Sequence, residues 1–175
     1  MSDTAPTGYT TAAPWIVTPD TGRLLDFITA VFDGVELARV PLADGTIGHA
    51  EIRVGDTVLL AFDQRPDWPA MPSLLRVFVA DADATTERAV AAGARVVTAP
   101  ATHAFGQRGG RVRDPFGNIW WISAVVEQVA PEVGMRRLAE PPYAEAMRDA
   151  QETLDRELSG RTHSVVSPPR TDGQP

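Results

Sequence analysis

Apolar and polar positions along this chain follow two periods, and the periods change over in the same order twice. Residues 12–17 form a short apolar run, as a strand would, and Thr18-Pro19-Asp20 ends it. Leu24, Leu25, Phe27, Ile28, Val31 and Phe32 then fall at helical spacing on one broad face, with Thr18 or Asp20 as cap and Gly34 as stop. Strands follow over residues 35–40, 46–54 and 57–62, separated by turns at Asp44-Gly45 and Gly55-Asp56. After the proline-rich connection Arg65-Pro66-Asp67-Trp68-Pro69-Ala70-Met71-Pro72, the order returns. A strand over 73–80 precedes a helix over 84–92 that Asp81 or Asp83 caps and Gly93 stops. A short strand over 95–98 and a loop over 99–106 lead to a hairpin around Asp114-Pro115-Phe116-Gly117-Asn118, where Gly117 and Asn118 tolerate positive φ.

The order is thus β-α-β-β-β twice, and the repeat shows in residues as well as in pattern. Asp20 corresponds to Asp81, Gly48 to Gly110, and Gly55 to Gly117. The expected fold class is α+β: two βαβββ modules whose curved mixed sheets enclose a cleft, with a C-terminal helical extension. Residues 1–11 read as a flexible arm, 12–64 as the first module and 65–72 as the linker. Residues 73–126 read as the second module, 127–159 as the extension and 160–175 as a disordered tail. Within the extension a helix begins over 131–137, Pro141-Pro142 breaks it, and a charged helix runs over 143–158. Its stripe of Ala146, Ala150, Leu154 and Leu158 is too weakly apolar for a core and suits docking across a partner subunit.

Composition narrows the chemistry. A net charge of −7 argues against a nucleic-acid partner, and no apolar run approaches the roughly 20 residues that span a bilayer. Residues 1–11 lack the basic and then apolar pattern of a secretory signal, so the cytoplasm is the expected compartment. With no cysteine, thiolate chemistry is excluded; all sixteen basic residues are arginine, which excludes a lysine Schiff base. Carboxylates, hydroxyls, arginines, two tyrosines and chiefly His49 and His103 remain.

The hairpin Phe105-Gly106-Gln107-Arg108-Gly109-Gly110-Arg111-Val112-Arg113-Asp114-Pro115-Phe116-Gly117-Asn118-Ile119-Trp120-Trp121-Ile122, with Val79-Ala80-Asp81-Ala82-Asp83-Ala84-Thr85 and Ala89-Val90-Ala91-Ala92-Gly93-Ala94 before it, carries a resemblance. Together with the paired modules it resembles the vicinal oxygen chelate superfamily of glyoxalases, bleomycin-resistance proteins and extradiol dioxygenases, in its PhnB-like branch. The resemblance spans about residues 12–137. It implies one metal ligand on the first and last strand of each module in the metal-dependent members. The matching positions here are Ala13, Leu59, Leu74 and Trp121, all apolar, so no metal and no cofactor is expected. It also implies a homodimer, since small proteins of the superfamily commonly pair.

Strand alternation sorts the faces. The expected ligand-binding set is Trp15, Leu59, Leu74, Arg76, Phe78, Ile119 and Trp121, with Thr57, Ala61 and Asp63 on the same face as Leu59. Trp15, Phe78 and Trp121 would stack on a flat ligand, each adding on the order of 1 kcal/mol beyond burial, and Arg76 would anchor an anionic group. Alternatively Trp121 plugs the old metal cavity and Arg76 pairs with Glu51 or Asp63. Candidate acids and bases are His49 and Glu51, which share a strand face, Asp63, and His103 in its loop. Arg111 and Arg113 read as hairpin salt bridges to Asp114, and Trp68 as a cleft cover or a dimer contact. The expected function is metal-independent binding of an aromatic or amphipathic metabolite or antibiotic. The alternatives are a metal-free isomerase, cyclase or lyase, and a metal-dependent lyase or dioxygenase with its site displaced to His49 and Glu51.

Overall fold

The computed structural model describes residues 4–160. The first module contains β1 (Trp15–Thr18), α1 (Thr21–Phe32), β2 (Val35–Pro41), β3 (Ile47–Val54) and β4 (Thr57–Asp63). The second contains β5 (Leu74–Phe78), α2 (Ala82–Ala91), β6 (Arg95–Thr102), β7 (Gln107–Arg113) and β8 (Ile119–Val125). Each module forms one mixed sheet, ordered β1-β4-β3-β2 and β5-β8-β7-β6, so the architecture is the expected α+β pair. The tail expected beyond residue 160 lies outside the described residues.

Both helices start alike. Asp20 accepts from Arg23 N and Asp81 from Ala84 N, each at 3.0 Å, satisfying one of the free amides of a first turn. The apolar face of α1 is wholly buried against its own sheet and against the second module. There Trp120, fully buried, meets Phe27 and Phe32 with ring centroids 6.4 Å and 4.9 Å apart. α1 also packs against α2. The helices and Trp120 therefore join the modules back to back, and the two sheets do not close on each other within one chain. Among the described residues β1 and β5 each end a sheet with one edge unpaired.

The hairpin between β7 and β8 is organised by Asp114, which is buried in the turn. Its carboxylate accepts from Phe116 N at 2.9 Å, Asn118 N at 2.8 Å, Asn118 Nδ2 at 2.9 Å and Trp120 Nε1 at 2.8 Å. Gly117 takes φ of 101°, which only glycine adopts without strain; Asn118 does not have positive φ. This turn places Arg113 opposite Ile119 across five residues, whereas Val54 pairs with Thr57 across two. Matching Gly55 to Gly117 therefore misplaces β4 by one residue, and such a slip turns every side chain to the other face. Leu59 and Ala61 lie on the helix side with Ile52 and Ile16 in the core, and Leu60 and Phe62 share the open face with Trp15.

The extension forms α3 (Pro131–Arg137) and α4 (Pro141–Ser159). Phe105 lies so close to Gly134 that a Cβ there would stand 2.3 Å from Phe105 Cδ1. α4 then crosses the open face of this chain's own second sheet, above β6, with Ala150 buried at the contact. The expectation that its stripe reaches a partner subunit is thus corrected for Ala150, while Leu158 stays exposed. No helix among the described residues is long and apolar enough to cross a membrane.

Candidate functional site

Three neighbouring strands of the second sheet set Arg76, Trp121 and Arg111 in one row on its open face. The guanidinium carbons lie 4.3 Å (Arg76) and 4.4 Å (Arg111) from the Trp121 ring centroid, at cation–π distance. Arg76 Nε donates to Ser123 Oγ at 3.3 Å and Nη2 donates to the Gln107 side-chain oxygen; Glu51 and Asp63 are not its partners. Leu74 and Phe78 flank it on the edge strand, 57% and 60% exposed. Ile119 shares the face but is buried, so it offers a ligand no surface.

Arg111 is the residue that sequence reasoning misassigned. It makes no salt bridge to Asp114. Its Nη1 donates to the main-chain oxygen of Ala150 at 2.7 Å and to Thr98 Oγ1 at 3.2 Å, its Nε is buried without a partner, and the residue is 7% exposed. Among the described residues neither Arg76 nor Arg111 meets a carboxylate. Burial pushes both guanidinium pKa values down, and for Arg111 the charge of Arg76 adds to the effect. The five-residue turn was the available signal, because it puts Arg111 opposite Trp121. Arg113 pairs with Glu157 of α4, which Arg95 also contacts.

His103 stands beside this row, in the turn between β6 and β7, where its main-chain N–H donates to the main-chain oxygen of Gln107 at 2.8 Å. Its imidazole pKa is pushed below the ordinary value, chiefly by burial. A hydrogen bond to the Gly109 main chain opposes that shift, and the charges of Arg111 and Arg76 reinforce it.

The open face of the first sheet carries a second cluster. His49 Nε2 lies 2.8 Å from Glu51 Oε1, and the Tyr9 hydroxyl donates to Glu51 Oε2. Trp15 packs edge-on against His49 and Phe62, with centroids 5.5 Å and 5.4 Å away, and Phe62 meets Trp68 at 6.0 Å. A hollow of about 670 Å³ opens beside Trp15, Phe62 and Trp68. Tyr9, which no motif marked, lowers the Glu51 pKa most, followed by His49. Asp63 is not part of this face. Its oxygens accept from Thr21 N and Ile47 N, both at 2.7 Å, which fixes the start of α1. Leu59 borders a groove of about 720 Å³ between the modules, together with Phe32, Val77 and Trp120, rather than the open face.

Equivalent rows of the two sheets differ in charge. Trp15, Leu60 and Glu51 occupy the first sheet's row, and Arg76, Trp121 and Arg111 the second's. One chain does not bring these rows together. With the register corrected, the positions that would ligate a metal are Ala13, Leu60, Leu74 and Trp121, and none of these side chains has a lone pair suited to a divalent ion, so they do not fit one. Among the described residues no third His, Cys, Asp or Glu joins His49 and Glu51.

The family model of the Glyoxalase/Bleomycin resistance protein/Dioxygenase superfamily matches residues 8–122. This chain belongs to that superfamily. Uncharacterized proteins of Mycobacterium bovis and Mycobacterium tuberculosis are 35% identical to it over 128 residues, 67% of this chain and 84% and 75% of theirs. TioX from a Micromonospora species superposes with a TM-score of 0.54 at 27% identity, over 69% of this chain and 98% of TioX. The PhnB protein of Bacillus cereus gives 0.53 at 15% identity, over 66% and 99%. The fosfomycin resistance protein FosX of Mesorhizobium loti gives 0.53 at 16%, over 75% and 98%. These last two likenesses are of fold alone. The superfamily match ends at Ile122, before α3 and α4 begin.

Proposed function

We propose that this superfamily member binds an amphipathic or aromatic small molecule without a metal ion, on the open face of its second sheet, as a homodimer. The observation that carries this reading is the exposure of Leu74 and Phe78 around Arg76 on a face that ends in a free edge strand. Apolar side chains so placed, with a few polar groups among them, are what a small-molecule site needs. A second copy is supported by three features: unpaired edges on β1 and β5, the half-exposed Trp15 on the first sheet, and Glu51 standing where the second sheet has Arg111. Sequestration of a metabolite or antibiotic is the form of such binding that requires no catalytic group. A cytoplasmic location goes with it, since a cysteine-free chain asks nothing of an oxidising compartment.

Calorimetric titration of purified protein with a panel of aromatic metabolites tests the binding, and sedimentation equilibrium tests the dimer. Saturable binding that Phe78→Ala weakens about tenfold is expected; binding insensitive to that change would remove the site from this face. Stoichiometric zinc, nickel or iron in protein purified without chelator would overturn metal independence. A second reading, a metal-free isomerase or lyase, is favoured by the 2.8 Å contact of His49 with Glu51, which holds an imidazole as a base would be held. Turnover of a ligand, abolished by His49→Ala, would select it.

A further inference from the structure

We infer that the ligand of the second sheet's face is an oxyanion carried on an apolar body, taken up at Arg76 beside a fixed positive charge at Arg111. This rests on the small-molecule reading above and gives the ligand a charge.

Trp121 is a spacer in this site and not a stacking platform. A guanidinium approaches its ring from the strand on each side, 4.3 Å and 4.4 Å from the centroid. A neutral ring could stack there only by displacing a cation. What the row offers a ligand is therefore positive charge, held in place by an indole.

Among the described residues of one chain that charge meets no carboxylate, and the same face shows what compensation looks like. Arg95 and Arg113 converge on the carboxylate of Glu157. Among the described residues Arg76 and Arg111 have only neutral acceptors: Ser123, Gln107, Thr98 and the Ala150 carbonyl. A buried guanidinium without a counter-charge is costly, and an anion nearby removes much of that cost. Arg76 raises the cost by lying close enough to push the Arg111 pKa down. This concentration of positive charge stands in a protein whose net charge is −7, so it is local.

Arg76 is the accessible member. Its hydrogen bonds to Ser123 and Gln107 exchange readily for the two oxygens of a carboxylate or phosphate, which match a guanidinium fork. Leu74 and Phe78 on either side of it along β5 supply the apolar contact for the rest of the molecule.

Calorimetric titration with 2-naphthoate, 2-naphthyl phosphate, 2-naphthylmethanol and inorganic phosphate tests this. The naphthyl anions should bind at least tenfold more tightly than the alcohol, and inorganic phosphate should bind more weakly than its naphthyl ester. A preference for one naphthyl anion assigns the head group as carboxylate or phosphate. Arg76→Met should erase the preference over the alcohol with the thermal midpoint unchanged; Arg76 is partly exposed, so its loss leaves the fold intact. Equal binding of alcohol and anions would overturn the charge assignment and leave the small-molecule site standing. Binding of none of the naphthyl probes would overturn both. An anion preference that survives Arg76→Met, or inorganic phosphate binding as well as its ester, would also overturn the inference.

Discussion

Arg111 Nη1 donates to the main-chain oxygen of Ala150 at 2.7 Å, and this bond ties α4 to the row that carries Trp121. α4 lies beyond the superfamily match, so it adds a wall that this match does not include. It buries little apolar surface and depends on polar contacts: Arg111 to Ala150, Thr98 to Thr153 at 2.6 Å, and Glu157 between Arg95 and Arg113. The helix and the site should therefore respond together when those contacts are cut.

Glu157→Gln tests that coupling. The Glu157 side chain is 11% exposed, and its loss leaves Arg113 without an anion, although Arg95 is well solvated. Breaking a buried pair costs about 3–5 kcal/mol, and exposure of one partner reduces that to about 2 kcal/mol. Urea unfolding should show the loss, and limited proteolysis should cut α4 sooner. Burial raises the Glu157 pKa, yet the two arginines outweigh it and hold it below its ordinary value of 4.5. A depressed carboxylate contributes stability that is present above its unfolded pKa and is lost as pH falls through the folded one. Acid release of α4 should accordingly begin below pH 4.5 and be absent in Glu157→Gln.

Asp114 should be among the least replaceable residues of the second module. Asp114→Ala leaves the buried Trp120 indole and Asn118 amide donors without acceptors, at about 1–3 kcal/mol each. A loss of about 3 kcal/mol or more in urea unfolding is expected, with the slope unchanged. Because Trp120 meets Phe27 and Phe32 of the first module, both modules should unfold in one transition.

The repeat, both helices and the module order were legible because periodicity and capping residues are local signals. The N-cap aspartates show this directly, since Asp20 and Asp81 cap as their spacing suggests. The face of β4 was not legible. It depends on turn length, and a two-residue and a five-residue turn can each contain a glycine. Arg111 was misjudged because Asp114 is its near neighbour in sequence, whereas the fold commits Asp114 to its own turn and to Trp120. Nor could spacing reveal Tyr9 at Glu51 or α4 over β6, since both contacts join segments far apart along the chain.

The arm that carries Tyr9 should be docked only within a pH window. Hydrogen bonding from Tyr9, then His49, depresses the Glu51 pKa, and the same bond raises that of the Tyr9 phenol. The depressed carboxylate releases the arm as pH falls through its folded pKa. The raised phenol releases it as pH rises through a value above 10.0. Amide resonances of Thr10 and Thr11 should shift at both limits, and Tyr9→Phe should give the released positions at every pH. An unchanged spectrum in Tyr9→Phe would mean that the hydroxyl does not hold the arm.

His103 should report the charge state of the site. Its folded pKa lies below 6.5, first through burial and then through Arg111 and Arg76, against the hydrogen bond to the Gly109 main chain. A depressed imidazole contributes stability that is complete above pH 6.5 and is lost as pH falls toward the folded value, because the unfolded chain then binds the additional proton. Removing one neighbouring cation with Arg76→Met should move the His103 midpoint up, as read from its ring-proton shifts. Saturation with 2-naphthoate should move the midpoint the same way in the unaltered protein, because an anion at Arg76 offsets the same charge, and should not move it in Arg76→Met. A midpoint indifferent to both changes would place His103 outside the field of the arginine pair and leave it as a structural residue of the β6–β7 turn.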